Sequence, residues 1–230
     1  MLLKPNGCKG CALEHSGTGF ITSTGSGNNG VLLVDEFPSA TEVEKGIPLI
    51  GIGGFTLGRA LQRGKMKRDD FTIATTTRCQ PPNNQLRGLP YEDAAIHHCS
   101  RYLADLVTTL RGSYPRDVVV PATTHPDGSL REPLRLRPRE LVMVALGEIP
   151  LRALTDFAGI ADCRGYVFRS HQYNCWVVPT LHPTFIAHGN VNLTGFLIED
   201  IQKAIRIAEE GFSYEIIEPL LDPPVRRFDD

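Results

Sequence analysis

Four short, predominantly apolar runs constrain the fold of this chain most strongly. They are Val31–Val34, Phe71–Thr75, Leu141–Leu146 and Cys175–Val178. None shows the sustained alternation of a half-exposed strand, which favours strands buried on both faces. Segments with helical spacing lie around them, at 56–63, 91–110, 151–157 and 196–209. The alternation predicts an α/β fold, a three-layer α/β/α sandwich around a short, mainly parallel four-stranded sheet.

The length of the chain, 230 residues, predicts one domain over residues 1–230. The segment 113–137 interrupts the alternation and carries the turn signal Pro126-Asp127-Gly128, so we expect an inserted hairpin there. No apolar run approaches the roughly 18 residues of a membrane span, and the first residues turn polar too soon for a signal peptide. We therefore expect a cytoplasmic monomer with no membrane contact and no nucleotide cofactor.

The net charge of −2 gives no global positive field that would indicate a nucleic-acid partner. Basic residues are nevertheless clustered in two places. The first cluster is Arg59, Arg63, Lys65, Lys67 and Arg68, and the second is Arg131, Arg135, Arg137 and Arg139. These clusters are compatible with DNA binding and equally with two solvated faces.

Four of the six cysteines have the layout of a metal site. Cys8 and Cys11 form a Cys-x-x-Cys pair, followed at a distance by Cys79 and Cys99. Disulfides are rare in a reducing cytosol, whereas four thiolates suit either zinc or an iron–sulfur cluster. The spacing alone leaves both open. Cys163 and Cys175 stand apart, and we interpret them as small buried residues.

Ligands of open parallel sheets bind beyond the carboxyl ends of the strands, so the residues that follow each run are the candidate site. These segments are Asp35–Glu42, Thr75–Asn84, Gly147–Glu148 and Pro179–Phe185. They contain acidic, amide and imidazole side chains, which are the groups that acid–base chemistry uses.

The order of these motifs resembles the iron–sulfur families 4 and 5 of the uracil-DNA glycosylase superfamily, over roughly residues 8–205. Members of those families contain the following motifs in this order: Cys-x-x-Cys, Gly-Glu-Gly/Ala-Pro-Gly, Gly-Arg-Pro-Phe-Val-Gly, Asn-x-x-Lys-Cys-Arg-Pro-Pro, a further Cys, Val-Ala-Leu-Gly and Pro-Thr-x-His-Pro. The matching segments here are Cys8–Cys11, Asp35–Ser39, Gly46–Gly51, Thr75–Pro82, Cys99, Val144–Gly147 and Pro179–Pro183.

The resemblance implies a monofunctional DNA glycosylase, which flips a base out of DNA and hydrolyses its N-glycosidic bond to leave an abasic site. It also implies that the four cysteines of the metal-site layout, with 1–22 as the cluster-binding N-terminal segment, hold a structural [4Fe–4S] cluster. His182 would donate a hydrogen bond to the departing base. Glu36 and Glu42 would orient water or stabilise the sugar cation, and Asp35, in place of a glycine, is a further catalytic candidate. The alternatives are a structural histidine before proline and ordinary surface acids.

The candidate base pocket departs from the family pattern. Phe37 and Ser39 belong to this pocket. Leu49 stands where the families have the phenylalanine that stacks on uracil. Thr75 stands where they have the asparagine that forms hydrogen bonds with the edge of the uracil ring. Neither replacement offers the same contact. Both are smaller, which favours a bulky modified pyrimidine, such as the glucosylated hydroxymethylcytosine of phage DNA, and a role in antiviral defence. The alternatives are conventional repair of uracil or deaminated bases and a catalytically inactive DNA-binding module.

The segment after His182-Pro183 is a candidate for the apolar wedge that fills the vacated stack. Phe185 and Ile186 lie there, in what the sequence indicates to be a loop with His188, Gly189 and Asn190. An inserted apolar side chain offsets part of the cost of unstacking a base. The alternative is that one of the two residues packs in the core.

Overall fold

The computed structural model describes residues 3–113 and 140–212, and the backbone of two short strands between them. The strands are β1 Val31–Asp35, β2 Thr72–Thr75, β3 Val118–Val120, β4 Leu134–Leu136, β5 Val142–Leu146, β6 Phe168–Ser170 and β7 Cys175–Thr180. The helices are α1 Ala40–Lys45, α2 Ile52–Arg63, α3 Glu92–Ser113, α4 Glu148–Leu154, α5 Ile160–Cys163, α6 Pro183–Ala187 and α7 Thr194–Glu210.

The central sheet has five strands in the order β2-β1-β5-β7-β6. The four predicted strands are its four parallel members, with β1 between β2 and β5, and β7 beyond β5. The predicted count of four was wrong, because β6 adds an antiparallel edge strand beside β7. This strand is only three residues long and carries the exposed Arg169 at its centre, so it lacks the apolar run that marks the others.

Helices cover both faces of the sheet, because alternate residues of each central strand enter two different cores. Val31 and Leu33 of β1 pack with α2 and α7, whereas Leu32 and Val34 pack with α3 and α4. The continuous apolar runs thus reflect burial on both faces. No helix in the described part of the chain is long and apolar enough to cross a membrane.

The predicted insertion contains a two-stranded antiparallel pair, in which β3 is aligned with β4. Its backbone agrees with the expected hairpin. The turn signal at 126–128 and the arginines at 131, 137 and 139 lie outside the described residues.

Candidate active site

A cavity of about 780 Å³ opens where the parallel strands end. The segments after β1, β5 and β7 form its polar side, and the start of α2 forms much of the remainder. The sequence predicted that the residues following the strands would meet at one surface. They do so in the cavity wall, which includes Asp35, Glu36, Gly147, Glu148 and His182. The volume lies within the usual range for a small-molecule pocket.

The imidazole of His182 is held at both ring nitrogens. Nδ1 accepts the backbone N–H of Thr184 at 3.1 Å, and Nε2 lies 2.7 Å from Asp35 Oδ1. Because Nδ1 is an acceptor, the ring carries its proton on Nε2 and donates it to Asp35. Both side chains line the cavity, and with 21% exposure for His182 and 4% for Asp35 the ring is the more accessible of the two.

The surrounding carboxylates affect the pKa of this histidine. Burial alone would lower the pKa of His182, but Asp35, Glu36 and Glu42 outweigh it and raise the pKa above the ordinary value. A second proton would have to displace the Thr184 amide from Nδ1. The contact at Nδ1 therefore favours the neutral ring, whereas the surrounding carboxylates favour a second proton.

Glu36 lies next to this pair, close to the glycine that follows β5. Burial, assisted by the negative charge of Asp35, raises the pKa of Glu36, against opposing effects of His182, the Ile149 amide and Arg87. Gly147 has φ 101°, and a Cβ there would lie 3.0 Å from Glu36 Oε1 and 3.1 Å from His182 Cβ. A glycine at this position thus allows the carboxyl group and the imidazole to approach each other.

Glu42, the other predicted catalytic carboxylate, is bound to the backbone around it. Its Oε2 accepts the Ser39 N–H at 2.8 Å, and its Oε1 accepts the N–H groups of Ile50 and Gly51 at 3.0 and 3.3 Å. Three backbone donors satisfy this carboxylate, which connects the start of α1 to the loop before α2. The Ser39-x-x-Glu42 spacing of a capping box was the available sign of the bond to Ser39, whereas the bonds to residues 50 and 51 depend on the tertiary fold.

Three of the four predicted base-pocket residues line the cavity, namely Phe37, Ser39 and Leu49. Leu49 has φ 52°, a left-handed backbone that costs a non-glycine residue on the order of 1–3 kcal/mol. The Ser39 hydroxyl is buried and has no hydrogen-bond partner among the described residues. Thr75, in contrast to the prediction, does not line the cavity. It is still inside β2, whose residues are all buried.

The cavity also contains Asn84, the last residue of the predicted segment 75–84, and Arg87, which the sequence reasoning missed. Asn84 has φ 55°, a conformation that asparagine adopts more readily than most residues. Both belong to the segment after Pro81-Pro82, and the paired asparagines there were the available turn signal. Arg87 acts on Glu36 electrostatically and brings a positive charge to the acidic side of the cavity.

The structure separates the two predicted wedge residues. Phe185 is 50% exposed at the cavity, whereas Ile186 is fully buried in the core that α2 and α7 share. The prediction for Ile186 was wrong because residues 183–187 form α6 rather than a loop, so adjacent side chains point in different directions. Phe185 retains the exposure that a wedge requires.

The residues of the first basic cluster lie in two different environments. Arg59 and Arg63 are exposed on α2, but Arg68 turns inward and donates to the Pro48 carbonyl at 2.7 Å. Burial lowers the pKa of Arg68, while the charges of Asp69, Glu42 and Asp35 raise it. Arg68 therefore belongs to the electrostatic surroundings of the site rather than to a solvated face.

The four cysteines of the metal-site layout lie close enough to influence one another. Burial raises the pKa of Cys79 to about 11, with contributions from the charges of Cys11 and Cys8, and that of Cys99 to about 12, with contributions from Cys79 and Cys11. The fold therefore brings together three separate segments of the chain: the N-terminal segment, the segment after β2 and helix α3. Cys163 and Cys175 are buried in the apolar core instead, as predicted.

The surroundings of these sulfurs fit an anionic iron–sulfur cluster. Backbone N–H groups of Leu13 and Arg78 point at the sulfurs of Cys11 and Cys99, at 3.4 and 3.3 Å. A Cβ on Gly17 would lie 2.8 Å from Cys79 Sγ, so the glycine leaves space beside it. Such N–H groups stabilise thiolate charge. Within the described residues, however, no three His, Cys, Asp or Glu side chains are grouped as a ready site for a single metal ion.

Comparison with known proteins agrees with the order of the motifs. The type-4 uracil-DNA glycosylase of Thermotoga maritima is 26% identical over 203 residues, which are 86% of this chain and 87% of the relative. That of Sulfurisphaera tokodaii is 27% identical over 212 residues, 91% of this chain and 84% of the relative. The chain resembles the type-4 uracil-DNA glycosylases.

A third type-4 uracil-DNA glycosylase, from Saccharolobus solfataricus, is 24% identical over 199 residues, 85% of this chain and 79% of the relative. No protein-family model matches the chain. The similarity to these glycosylases extends over most of both chains.

Proposed function

We propose that this protein is a monofunctional DNA glycosylase, which binds an extruded nucleotide in the 780 Å³ cavity and hydrolyses its N-glycosidic bond. The observation that carries the proposal is the hydrogen-bonded pair His182–Asp35, with Glu36 beside it, at the carboxyl edge of the sheet. Buried acidic and imidazole groups in a cavity are typical of catalytic sites. The names of the three relatives support the same activity.

The reaction separates charge, and the site offers a group for each part. As the C1′–N bond breaks, its electron pair moves to the base and the sugar becomes cationic. The Nε2–H of His182 turns from Asp35 to the base oxygen, because this ring has no other N–H to donate. The carboxylate of Asp35 then stabilises the cation and orients a water.

The water completes the reaction by forming a bond from its oxygen to C1′. Its proton passes to Asp35 and from there to solvent, which regenerates the carboxylate, and the base anion takes up a proton from solvent. Glu36, with its raised pKa, adds a carboxyl group that retains a proton more readily than an ordinary glutamate. Glu42 contributes charge and holds the cavity wall in place.

We propose uracil or another deaminated base as the substrate, in repair of DNA, since the relatives described above are named for uracil. A bulky modified pyrimidine, and with it antiviral defence, is the second candidate. It rests on Leu49, which provides no flat stacking surface at the cavity wall. Phe37 is an aromatic residue that lines the same cavity and is able to replace that surface.

A DNA-binding module without activity is the candidate from another functional class. Binding alone does not require the burial of Asp35, Glu36 and His182 together, and burial of charged groups is unfavourable. Such an arrangement is retained where the groups act chemically. The inactive module is therefore the less favoured hypothesis.

We further propose that Cys8, Cys11, Cys79 and Cys99 hold a [4Fe–4S] cluster, through deprotonated thiolates. When bound, the cluster would supply a cross-link rather than redox chemistry, tying the N-terminal segment to the segment after β2 and to α3. The N-terminal segment is already held by Lys4, whose ammonium donates to the carbonyls of Leu13, Glu14 and Gly17 at 2.6 to 2.7 Å. DNA is the proposed partner of a monomer that acts inside the cell.

The test is base release from matched oligonucleotides that contain uracil, hydroxymethylcytosine or its glucosylated form, followed by alkaline cleavage at abasic sites. We expect release of uracil to be fastest and to disappear in the double variant Asp35→Asn/His182→Ala. Preferred release of the glucosylated base would establish the second candidate. DNA binding without release from any substrate would instead support the inactive module.

A further inference from the structure

A second concave surface lies directly beside the cavity. It is a groove of about 200 Å³ formed by α2, α6 and the start of α7. Its lining includes Ile52, Phe55, Arg59, Arg63, Ala187 and Val191. Ile52 lines both the groove and the cavity, so the two are neighbours on the surface. The catalytic residues proposed above do not contribute to the groove.

The groove exposes large apolar side chains at its edge. Ile52, Phe55 and Val191 are 63%, 69% and 59% exposed. A single exposed apolar residue is ordinary, but a group rimmed by charged residues marks a binding surface. An aromatic ring exposed to this extent offers a flat face on which a planar partner is able to stack.

The charge at this rim is positive. Arg59 and Arg63 line the groove, and the guanidinium of Arg59 lies 5.9 Å from the centre of the Phe55 ring. The sequence of α2 contains no acidic residue, and Lys65 and Lys67 follow shortly after it. An exposed aromatic ring next to arginines suits a nucleotide, whose base stacks on the ring while its phosphate pairs with the cations.

Close packing fixes the position of the groove relative to the cavity. A Cβ on Gly53 would lie 2.7 Å from Thr184 Oγ1, and one on Gly54 would overlap the carbonyl oxygen of Leu49. The first turn of α2 is therefore pressed against α6 and the cavity wall. Helix α6 separates the two surfaces: Phe185 lines the cavity, whereas Ala187 lines the groove.

We infer that the groove binds the nucleotide next to the extruded one in the same DNA strand, with its base on Phe55 and its phosphate at Arg59 and Arg63. This inference rests on the proposed function, since it takes the cavity as the site of the extruded nucleotide. The positive rim favours a phosphate-bearing ligand over an apolar protein partner. Because the groove and the cavity share Ile52, a nucleotide in the groove would be a near neighbour of the one in the cavity.

The test is the affinity of the full-length protein for fluorescent single-stranded oligonucleotides with one central tetrahydrofuran abasic residue, which cannot be cleaved. In a second set the neighbouring nucleotide, on one side or the other, also lacks its base. We expect removal of one neighbouring base to weaken wild-type binding roughly five- to hundredfold, the usual range for base–aromatic stacking. The Phe55→Ala variant should bind both sets equally weakly.

Two further variants and two controls make this result specific. Phe55→Trp retains a stacking surface and should restore the dependence on the neighbouring base. Phe196→Ala removes another exposed phenylalanine, on α7, and should behave as wild type. Arg59→Ala should reduce the salt dependence of binding by about one phosphate contact, whereas Arg206→Ala, on the exposed side of α7, should not.

A Phe55→Ala variant that keeps wild-type sensitivity to the neighbouring base would overturn the inference. Base release is measured separately, so the two proposals can fail independently. A protein that releases no base but needs Phe55 for the neighbouring base would contradict the proposed activity alone. A protein that releases bases with no contribution from Phe55 would contradict the groove alone.

Discussion

The imidazole of His182 donates its only N–H to the carboxylate of Asp35, 147 residues away in the chain, at 2.7 Å. The parallel strands β1 and β7, both paired with β5, bring these two residues together. The pair links the protonation of the histidine to the charge of the aspartate.

Replacing Asp35 with asparagine should lower the pKa of His182, because the carboxylate is the strongest of the effects that raise it, and burial, which lowers it, remains. NMR titration of the imidazole in the two proteins measures this change directly. Asp105→Asn, at an exposed position of α3, is the matched control and should leave the titration unchanged. An unchanged pKa in Asp35→Asn would show that the pair is not formed in solution.

His182→Ala should lower the rate of base release by about 10²- to 10³-fold, the usual loss when a donor to developing negative charge is removed. DNA affinity should change little, since the donor acts mainly in the transition state. Single-turnover release and fluorescence anisotropy separate the two quantities. His188→Ala, an exposed histidine just after α6, should retain activity. Equal losses of binding and rate would indicate a structural histidine.

Glu36→Gln should change how folding stability depends on pH. Because the pKa of Glu36 is raised, the folded state binds its proton more tightly than the unfolded state, and stability falls as pH rises above the ordinary value of 4.5. The glutamine does not titrate, so the variant should gain stability relative to wild type at neutral pH but not at acidic pH. Urea unfolding at about pH 4 and pH 7 measures this. A variant that is less stable at pH 7 would contradict the assignment.

Glu42→Gln should lower the free energy of unfolding by about 1–3 kcal/mol, because an amide group cannot accept hydrogen bonds at both ends. The carboxylate accepts three backbone N–H groups, from Ser39, Ile50 and Gly51. Glu44→Gln, at an exposed position of the same helix, is the control. If stability were unchanged while base release fell, Glu42 would act on the substrate rather than on the loop.

Protein purified without oxygen should contain about four irons per chain and show a broad visible absorption. Cys99→Ala should lose the iron, since Cys99 belongs to the four-cysteine group, whereas Cys163→Ala should retain it because Cys163 packs in the apolar core. Metal analysis and the absorption spectrum measure both. One zinc per chain in place of iron would contradict the proposed cluster.

The sequence predicted those features that depend on local pattern. Apolar runs located the four parallel strands, and the rule for their carboxyl ends located Asp35, Glu36 and His182. The strand β6 was not predicted, because an edge strand of three residues is too short to show a recognisable apolar pattern. Ile186 was misplaced because α6 is only five residues long, too short for helical spacing to be recognised. The bonds of Glu42 to residues 50 and 51 and the exposure of Phe55 depend on packing between elements that no local pattern encodes.

Gly147 imposes a limit on how this protein can vary. Its positive φ and the close approach of Glu36 and His182 both disfavour a side chain. In a library containing all twenty residues at this position, selection for base release would return glycine alone, even though residue 147 contributes no functional group. A change of substrate would therefore have to come from other residues of the cavity wall, such as Leu49, Phe37 or Ser39.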